Sequence, residues 1–420
     1  MSMALAGIKV IEAAQNAAGP MAGRWLADWG ADVVHIEHPT RGDPVRSRYF
    51  RMYAGRDIDS DFNYAFENID RNKRSMTLDL AKPAGKAILR KLVGNADIFI
   101  TNYRTSDLIK FGCQYKDFKL LNERLIYASI TGYGDVGPDK DTPGFDVSAF
   151  FSRSGLLEAM KIPGQVPPPY VVAMGDFITG LGLACGILAA LHYRVATGKG
   201  QEVKTSLYNM GVYTMSYDIA ATLLLKRLMP PPPLVDELLA KQKGSRIDVR
   251  EASLTPLVNY YETLDGRWIC LALVQPMQYW SNLCRAIDRD DLINDKRFDT
   301  FLGLLENRAV LFKILDESFR KRPLSEWRER LDREGLVWAL LQNFLEVIND
   351  PQARANNFFS AFDHPSHGRV EMVACPVKLS HTPAQIRIPA PEMGQHTEQV
   401  LLENGYNWDD IARFKDEGII

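Results

Sequence analysis

An aspartate that precedes the most apolar stretch of the chain is the residue whose position most favours covalent chemistry. Asp176 follows Met174 and Gly175 and comes directly before a helical pattern at 177–197, where small and apolar residues occupy nearly all faces. It has the type and position of a helix-capping residue. A carboxylate there is also a candidate nucleophile, because helix amides could stabilise the oxyanion formed when it attacks a thioester. Both roles stay open on this residue alone.

Cationic and amide side chains recur beside the predicted strands of the first third of the chain. They follow the second and fourth strands, precede the third, and include one residue on a short helix: His38, Arg41, Asn72, Lys73, Arg74, Asn102, Tyr103, Arg104 and Lys110. Open α/β sheets bind ligands at strand carboxyl ends, and Arg and Lys bind phosphates strongly. The recurrence favours a ligand that carries several phosphates, whereas each residue alone is typical of a solvated surface.

Three common catalytic signatures are missing from the sequence. The first predicted strand leads into Asn16-Ala-Ala-Gly-Pro20 rather than GxGxxG, and there is neither a Walker A motif nor a GxSxG elbow. A nicotinamide enzyme, a nucleoside-triphosphate enzyme and a serine hydrolase are therefore disfavoured. The stretch 144–147, Gly-Phe-Asp-Val, stands out instead, although Asp146 is equally typical of a helix cap.

The elements that must position these residues alternate between strand and helix. The predicted strands lie at 8–11, 31–37, 75–80, 97–101, 125–131 and 201–207, and the predicted helices at 19–29, 83–93, around residue 107, 177–197 and 208–227. Such alternation indicates a parallel sheet with right-handed crossovers. The predicted fold class is therefore α/β.

The pattern changes after four consecutive prolines at 230–233, which fit neither a helix nor a central strand. Beyond them, Asp265-Gly266 between two apolar runs predicts a β-hairpin, and helical patterns follow at 276–287, 308–320 and 324–334. A strand at 370–377 and two terminal helices complete the chain. We predict a large domain from 1–228, a proline-rich linker at 229–257, a small α+β domain at 258–345, and a return segment at 346–420 that completes the large domain.

The composition excludes several classes of protein. The 420 residues carry a net charge of −2, so we expect no general attraction to nucleic acid or to an anionic membrane. Five scattered cysteines without a CxxC pair argue against disulfides or a zinc site and for a reducing cytoplasm. His364 and His367 lie in a polar stretch that predicts a loop without a metal. No apolar run reaches the ~18 residues of a membrane helix, and the start lacks a signal-peptide pattern.

An ordered series of short motifs resembles the family III CoA-transferases, the group that contains formyl-CoA transferase, carnitine CoA-transferase and the bile-acid CoA-transferases. The resemblance covers nearly the whole chain, and its most specific part runs from Gly-Ile-Leu-Ala-Ala-Leu at 186–191 to Thr-Gly-Lys-Gly-Gln at 197–201. The other matched stretches are 5–10, 18–20, 29–37, 72–79, 102–104, 129–134, 175–176 and 394–398. The order of the series carries the resemblance, because no single motif is decisive.

The resemblance implies an architecture and a reaction. The family fold is an interlocked homodimer whose Rossmann-like large domain is built from both termini, with a smaller domain inserted; a paralogous partner subunit stays open. Asp176 matches the family's catalytic aspartate, which forms an acyl anhydride and then an aspartyl-CoA thioester before the acceptor acid takes over the CoA. CoA enters as a substrate thioester, and neither a permanently bound cofactor nor a metal is implied.

The resemblance also assigns binding residues. CoA contacts map to His38, Leu78, Asp79, Leu80, Ala81, Asn102, Tyr103, Arg104 and Lys110, with those of 78–81 made largely by backbone around the adenine. The implied substrate pocket comprises Gln15, Asn16, Ala17, Phe145 and Asp146. Formyl-CoA transferase has a glutamine at Ala17, a tyrosine at Phe145, a glutamate at Asp146 and an arginine at His38. Because Ala17 and Phe145 are apolar, we expect an acid larger than formate or oxalate.

Two other functions stay open. The α-methylacyl-CoA racemases share the fold, but racemisation needs two acid/base groups, and Phe145 stands where those enzymes carry a histidine. A non-catalytic CoA-binding partner subunit is the second alternative, and Asp176 argues against it.

Overall fold

The computed structural model describes residues 3–47, 61–161, 165–226 and 255–420. The chain separates into two units, of which the first draws on Met1–Lys161, Pro167–Ala220 and Gln352–Ile420 and the second mainly on Ala221–Pro351. The predicted linker at 229–257 lies almost wholly outside the described residues. The four predicted segments therefore stay a prediction.

A six-stranded sheet forms the centre of the first unit, with the strand order β3-β2-β1-β4-β5-β6. The strands are β1 Lys9–Ala13, β2 Asp32–Glu37, β3 Arg74–Thr77, β4 Ile98–Thr101, β5 Ile126–Thr131 and β6 Glu202–Ser206. Every neighbouring pair is parallel, which confirms the predicted α/β class. The strand order reverses between β1 and β4, and ligands of such sheets bind outside the carboxyl ends of the strands at that point.

Alternate strand residues pack on opposite faces of this sheet. Ile11 and Phe99 belong to one core cluster, whereas their chain neighbours Val10 and Ile98 belong to another. Both faces are buried because helices cover them, so the strands need near-continuous apolar runs. Such runs mark β4 and β5, whereas β6 is mostly polar and only partly buried.

Helices connect and flank the strands. In chain order the described helices of the first half are α1 Ala18–Asp28, α2 Tyr64–Asp70, α3 Pro83–Gly94, α4 Thr105–Phe111, α5 Tyr115–Lys119, α6 Leu156–Met160, α7 Met174–Thr197, α8 Leu207–Thr214 and α9 Ser216–Leu225. A 3-10 turn spans Pro44–Arg46, and a π-helix spans Asp146–Ser152. The helix predicted at 208–227 is two helices, since the chain breaks at Met215, which the continuous apolar pattern does not reveal.

The long helix α7 packs closely on α1. A Cβ at Gly180 would lie 2.7 Å from the Met21 Cβ and 2.8 Å from the Ala18 carbonyl oxygen, so the two helices approach through a position without a side chain. The helix ends at Gly198, whose φ of 74° is left-handed. This helix sets the position of Asp176 relative to the sheet.

By length and composition, α7 is apolar enough to cross a membrane, so the expectation that no stretch reaches that limit is wrong. It is the one helix in the described part of the chain that meets this criterion. Leu183 and Ile187 are fully buried in the core cluster that also holds Val10 and Ile98. We therefore interpret α7 as a core helix of the first unit.

The second unit contains a three-stranded antiparallel sheet of β7 Val258–Glu262, β8 Trp268–Ala272 and β9 Trp338–Leu340. The predicted hairpin at Asp265-Gly266 is confirmed. Its helices are α10 Pro276–Ala286, α11 Phe301–Glu306, α12 Arg308–Phe319, α13 Leu324–Arg333 and α14 Phe344–Asn349, and α15 Pro351–Ala355 lies where the two units divide. Its core contains several aromatic rings: those of Tyr261 and Phe319 stack 5.0 Å apart, and those of Phe319 and Trp327 lie 4.6 Å apart.

The last part of the chain returns to the first unit. It forms an antiparallel hairpin, β10 Phe359–His364 and β11 Gly368–Val373, followed by α16 Thr397–Glu403 and α17 Trp408–Asp416. Side chains of α16 and α17 pack in the same core as Leu89 of α3. Ile419 also accepts a 2.7 Å main-chain hydrogen bond from Asp79, so the final residues support the loop after β3.

Candidate active site

Loops that follow the parallel strands meet at the carboxyl edge of the sheet. They lie on both sides of the switch point, which is the place between β1 and β4 where the strand order reverses. Two cavities of about 380 Å³ each open at this edge, both within the first unit. The first is lined by Gln15, Asn16, Ala17, Ala18, Asn102, Tyr103, Arg104, Asp107, Ile130, Thr131, Gly132, Lys140, Thr142, Pro143, Gly144, Phe145, Asp176 and Leu207. The second is lined by Gln15, His38, Arg41, Gly42, Pro44, Leu78, Asp79, Leu80, Ala81, Tyr103, Asp107, Lys110 and Phe111.

The two cavities adjoin, because Gln15, Tyr103 and Asp107 line both of them. Residues predicted to bind CoA lie along both cavities, and most of those predicted to bind the acid lie in the first, beside Asp176. Among the site residues that the resemblance implies, Asp146 alone lines neither of these two cavities. This arrangement offers one continuous path for an elongated ligand.

Asp176 lies in the first turn of α7, one residue after Gly175, and its carboxylate faces the first cavity. Burial and, as the smaller effect, the nearby Asp146 carboxylate together raise the pKa of Asp176 to about 8. No hydrogen bond from a described residue reaches the Asp176 side chain, so it does not act as the helix cap. A carboxylate that caps no amide and borders a cavity is available to react.

Asp146 lies behind Asp176, buried at the start of the π-helix. Burial raises the pKa of Asp146 and outweighs the lowering effect of the Gly175 and Ala173 amides, so that the pKa is about 6. Neither Asp146 oxygen makes a hydrogen bond of standard geometry to a described residue. A side chain at Gly175 would overlap both the Asp146 carboxylate and the Phe150 ring, so glycine is required between the two acids.

Two side chains fix the loop that joins β1 to α1. The Asn102 amide accepts a 2.9 Å hydrogen bond from the Gln15 N–H and donates a 2.6 Å hydrogen bond to the Gln15 carbonyl. The Asp43 carboxylate accepts a 3.1 Å hydrogen bond from the Asn16 N–H and another from Val45. Asn102 follows β4, so its amide bridges the switch point of the sheet.

The loop after β3 presents backbone to the second cavity. The side chains of Leu78 and Leu80 are buried in the core. The N–H groups of Leu78, Asp79 and Ala81 already donate to Glu37, to Ile419 and to the Asp79 carboxylate, respectively. An adenine at this loop would therefore meet carbonyl oxygens and apolar surface.

Cationic groups line the ends of both cavities. Arg104 lies in the first cavity with a 3.7 Å contact to Asp107, and its side chain is 54% exposed, which leaves it available to a ligand. Arg41 and Lys110 line the second cavity together with His38. These groups are suited to binding phosphates.

The cationic group that precedes β3 does not reach either cavity, so its assignment to a phosphate ligand is wrong. Lys73 is fully buried, and its ammonium donates to Glu12 at 2.8 Å and to Asp70 at 2.7 Å. The Asn72 amide donates to Asp28, and Arg74 pairs with Asp32 and Glu403. Asn72 and Lys73 precede β3 and Arg74 is its first residue, so all three lie at the amino end of the strand, away from the ligand-binding carboxyl ends.

The buried charges around Lys73 form a structural cluster. Glu12, His35 and Asp70 lie close enough together to hold a metal ion, but the Lys73 ammonium already bonds to two of them. Burial lowers the pKa of His35, but Asp70 and Glu12 outweigh that effect and raise it to about 9. The imidazolium and ammonium thus neutralise the carboxylates without a metal.

Lys140 is a site residue that the sequence analysis misses. It lines the first cavity with Asp176 and makes no ion pair with a described residue. Its signal is weak, because it lies in a Gly- and Pro-containing loop after β5 rather than directly at a strand end. A free cation beside a reactive carboxylate is suited to an anionic substrate group.

Comparison with known proteins decides the family. The model for CoA-transferase family III matches residues 5–397. The chain belongs to CoA-transferase family III. The match covers the loops of both cavities and confirms the predicted resemblance.

Named relatives of this family III chain are CoA-transferases. It is 34% identical over 421 residues to (R)-2-hydroxy-4-methylpentanoate CoA-transferase from Clostridioides difficile, with 100% of both chains covered. It is 31% identical to cinnamoyl-CoA:phenyllactate CoA-transferase from Clostridium sporogenes, covering 99% of this chain and 97% of the relative. It is 28% identical to human succinyl-CoA:glutarate CoA-transferase, covering 99% and 87%. The chain is therefore a CoA-transferase of this family.

Solved structures support the fold of this family III enzyme. A CaiB/BaiF family protein from Brucella suis matches with a TM-score of 0.78 at 26% identity, covering 96% of this chain and 100% of that chain. A Mycobacterium tuberculosis protein matches with a TM-score of 0.79 at 26% identity, covering 95% and 99%.

Proposed function

We propose that this CoA-transferase moves CoA between an acyl-CoA thioester and a 2-hydroxy carboxylic acid with a branched or aromatic side chain, with Asp176 as the covalent nucleophile. The observation that carries the proposal is Asp176 itself, a half-buried acid that borders the first cavity without a hydrogen-bond partner among the described residues. The names of two relatives, which act on 2-hydroxy-4-methylpentanoate and phenyllactate, support the substrate class.

The exchange proceeds through balanced acyl transfers. An Asp176 oxygen attacks the donor thioester carbonyl, the C–S bond breaks, and an aspartyl–acyl anhydride and CoA thiolate form. The thiolate attacks the aspartyl carbonyl, which gives an aspartyl-CoA thioester and releases the donor acid. The acceptor carboxylate then attacks that thioester, which forms a second anhydride and thiolate. Attack of the thiolate on the acceptor acyl carbonyl gives the new acyl-CoA and regenerates Asp176.

Each cavity binds one end of the CoA thioester. The nucleotide end fits the second cavity, where Arg41 and Lys110 supply positive charge and 78–81 supplies backbone. The thioester end fits the first cavity, which Tyr103 and Arg104 border on the way to Asp176. No water takes part in any step, so a site that excludes water protects the intermediates from hydrolysis.

The acyl end of the first cavity favours a large acid. Ala17 and Phe145 line it where formyl-CoA transferase has polar residues. Each buried methylene of the acid contributes ~0.8 kcal/mol, or roughly fourfold in affinity. We expect transfer efficiency to rise from acetate towards branched or aromatic acids, and Ala17→Gln to weaken the larger acids most.

Trapping tests the covalent step. Wild-type protein incubated with acyl-CoA and hydroxylamine should acquire a hydroxamate at Asp176, detected by peptide mass spectrometry. Asp176→Asn should abolish both adduct and transfer while CoA binding persists. Asp141→Asn is the matched control, because Asp141 is exposed and lines neither cavity. Full transfer by Asp176→Ala, which cannot revert by deamidation, would contradict the assignment.

A further inference from the structure

The loop that carries Gln15 and Asn16 is unusually well fixed for a cavity wall. Asn102 holds both main-chain groups of Gln15, and Asp43 holds the Asn16 N–H. Asn16 has a left-handed φ of 61°, a conformation that Asn adopts more readily than most residues. Hydrogen bonds therefore hold the main chain of Gln15 and Asn16 from both sides of the point between β1 and β4 where the strand order reverses. The Cα positions from which the two side chains extend are fixed.

The side-chain amides of Gln15 and Asn16 have different surroundings. Gln15 lines both cavities and therefore lies where they join, whereas Asn16 lines only the cavity that contains Asp176. No hydrogen bond joins the Asn16 side chain to a described residue. A primary amide donates and accepts hydrogen bonds, so it can bind both a hydroxyl group and a carboxylate oxygen.

Other groups in this cavity are less suited to a neutral hydroxyl. Ala17 and Phe145 offer no polar side-chain atom. The Thr131 hydroxyl already accepts a 2.9 Å hydrogen bond from the Gly134 N–H. Lys140 is a cation, which favours an anionic group over a neutral one. Gln15, Tyr103 and Thr142 also bring neutral polar groups to this cavity, but Gln15 and Tyr103 line both cavities and Thr142 carries a hydroxyl. Asn16 is thus the amide that lines this cavity alone and makes no side-chain hydrogen bond to a described residue.

We propose that Asn16 is a specificity-determining residue that hydrogen-bonds the 2-hydroxyl group of the acid, and that Asp43 and Asn102 are positioning residues that hold it there. This inference rests on the proposed function, since it concerns how the same cavity distinguishes a 2-hydroxy acid from its deoxy analogue. A site that pairs with a substrate hydroxyl rejects the analogue that lacks it, because its polar group is then left unpaired.

Internal competition measures this discrimination directly. The full-length protein receives 2-hydroxy-4-methylpentanoyl-CoA as donor and equal amounts of phenyllactate and 3-phenylpropanoate as acceptors. The ratio of phenyllactyl-CoA to phenylpropanoyl-CoA, read by mass spectrometry, equals the ratio of the two kcat/KM values. Asn16→Gly keeps the left-handed backbone without strain and removes the amide, so we expect the ratio to fall about tenfold. Asn16→Ala should give the same fall, which excludes a backbone effect.

Matched variants separate positioning from general damage. Asp43→Ala should lower the ratio in the same direction as Asn16→Gly. Asp79→Ala removes another carboxylate that bonds a backbone N–H two residues ahead, but at the second cavity, so it should keep the ratio. Gln15→Ala should alter the KM of the donor and likewise keep the ratio.

Each outcome identifies the statement that fails. A wild-type protein that transfers CoA to neither acid, or that prefers the deoxy acid, contradicts the proposed substrate class. A wild-type preference for phenyllactate that survives intact in both Asn16 variants overturns the role of Asn16. A preference that survives in Asp43→Ala but not in the Asn16 variants overturns the positioning role.

Discussion

At the residue scale, the reactivity of Asp176 depends on what surrounds its carboxyl group. Burial and the Asp146 charge both oppose ionisation, and burial is the larger effect. Only the ionised carboxylate attacks a thioester, so the same surroundings that make the nucleophile basic keep it largely protonated at neutral pH.

This balance predicts a pH dependence. The kcat/KM for acyl-CoA should rise with pH through about 8, the value to which the pKa of Asp176 is raised. Asp146→Asn removes the like charge, so it should move the rise to lower pH without abolishing it. Initial rates between pH 5 and 10 measure both profiles. An Asp146→Asn profile that coincides with the wild type would show that the acids do not interact.

The raised pKa also has a consequence for stability. A carboxyl group whose pKa is higher in the folded than in the unfolded protein costs stability as pH rises above its unfolded value, near 4. Asp176→Asn should therefore gain stability relative to the wild type at pH 9 and little at pH 4.

Gly175 predicts a steric effect between the two acids. Gly175→Ala should displace Asp146 or Phe150 and lower the free energy of unfolding by about 1–3 kcal/mol, with loss of transfer activity. Gly94→Ala is the matched control at the end of a helix, because its new Cβ would meet only ordinary contacts at 3.6 Å. Urea unfolding and activity assays compare the two. Equal stability of both variants would contradict the close packing.

The position of Asp176 before an apolar helix identifies it as a candidate nucleophile from the sequence. The sequence does not show that the Asp146 carboxylate lies close to it. Asp146 is predicted as part of the substrate pocket, and the structure places it behind the nucleophile instead. The difference comes from the π-helix at Asp146–Ser152, a local conformation that no periodicity in the sequence marks.

At the element scale, a single buried ammonium joins a strand of the sheet to two helices. Lys73 donates to Glu12 of β1, to Asp70 of α2 and to the Pro20 carbonyl of α1. Burial lowers the pKa of Lys73, but Asp70 and Glu12 outweigh it and raise the pKa, so the ammonium stays charged. One side chain therefore ties a strand and two helices together.

Removing the Lys73 ammonium should lower the stability of the fold. Lys73→Met removes one of the two cations that face the buried Glu12 and Asp70 carboxylates, and we expect the free energy of unfolding to fall by about 3–5 kcal/mol. Lys204→Met is the control, since Lys204 is 42% exposed and its loss should cost about 0–1 kcal/mol. Urea titrations at pH 7 measure both. Equal losses would mean that the buried cluster adds nothing beyond a surface ion pair.

Strands are predicted better than short elements because their apolar runs are buried on both faces. β9 and β10 are missed, since their residues are at most half-buried and mix polar with apolar side chains. The cations at 72–74 are assigned to the wrong edge for a related reason. A charge pattern marks the residues that need a partner, but not whether that partner is a ligand or a buried carboxylate.

At the scale of the whole molecule, the interlocked homodimer and the cytoplasmic location remain predictions. Tyr217 and Leu224 of α9 are 90% and 81% exposed in the single chain, which is the kind of apolar surface that an obligate partner covers. We expect a particle of about twice the 47.3 kDa chain mass in light scattering. Two differently tagged dimers should not exchange subunits on mixing, because interlocked chains separate only by unfolding. Rapid exchange, or a monomer, would contradict this.

The return of the chain to the first unit sets an order of events during synthesis. The core around Leu89 is completed by Leu401 and Phe414, and the loop after β3 is supported by Ile419. While a ribosome makes the second unit, these partners do not yet exist, so one face of the sheet is still open to water and to chaperones. The loop after β3, which lines the second cavity, therefore gains this hydrogen bond only once Ile419 has emerged, and a chain that stalls before Ile419 would lack it.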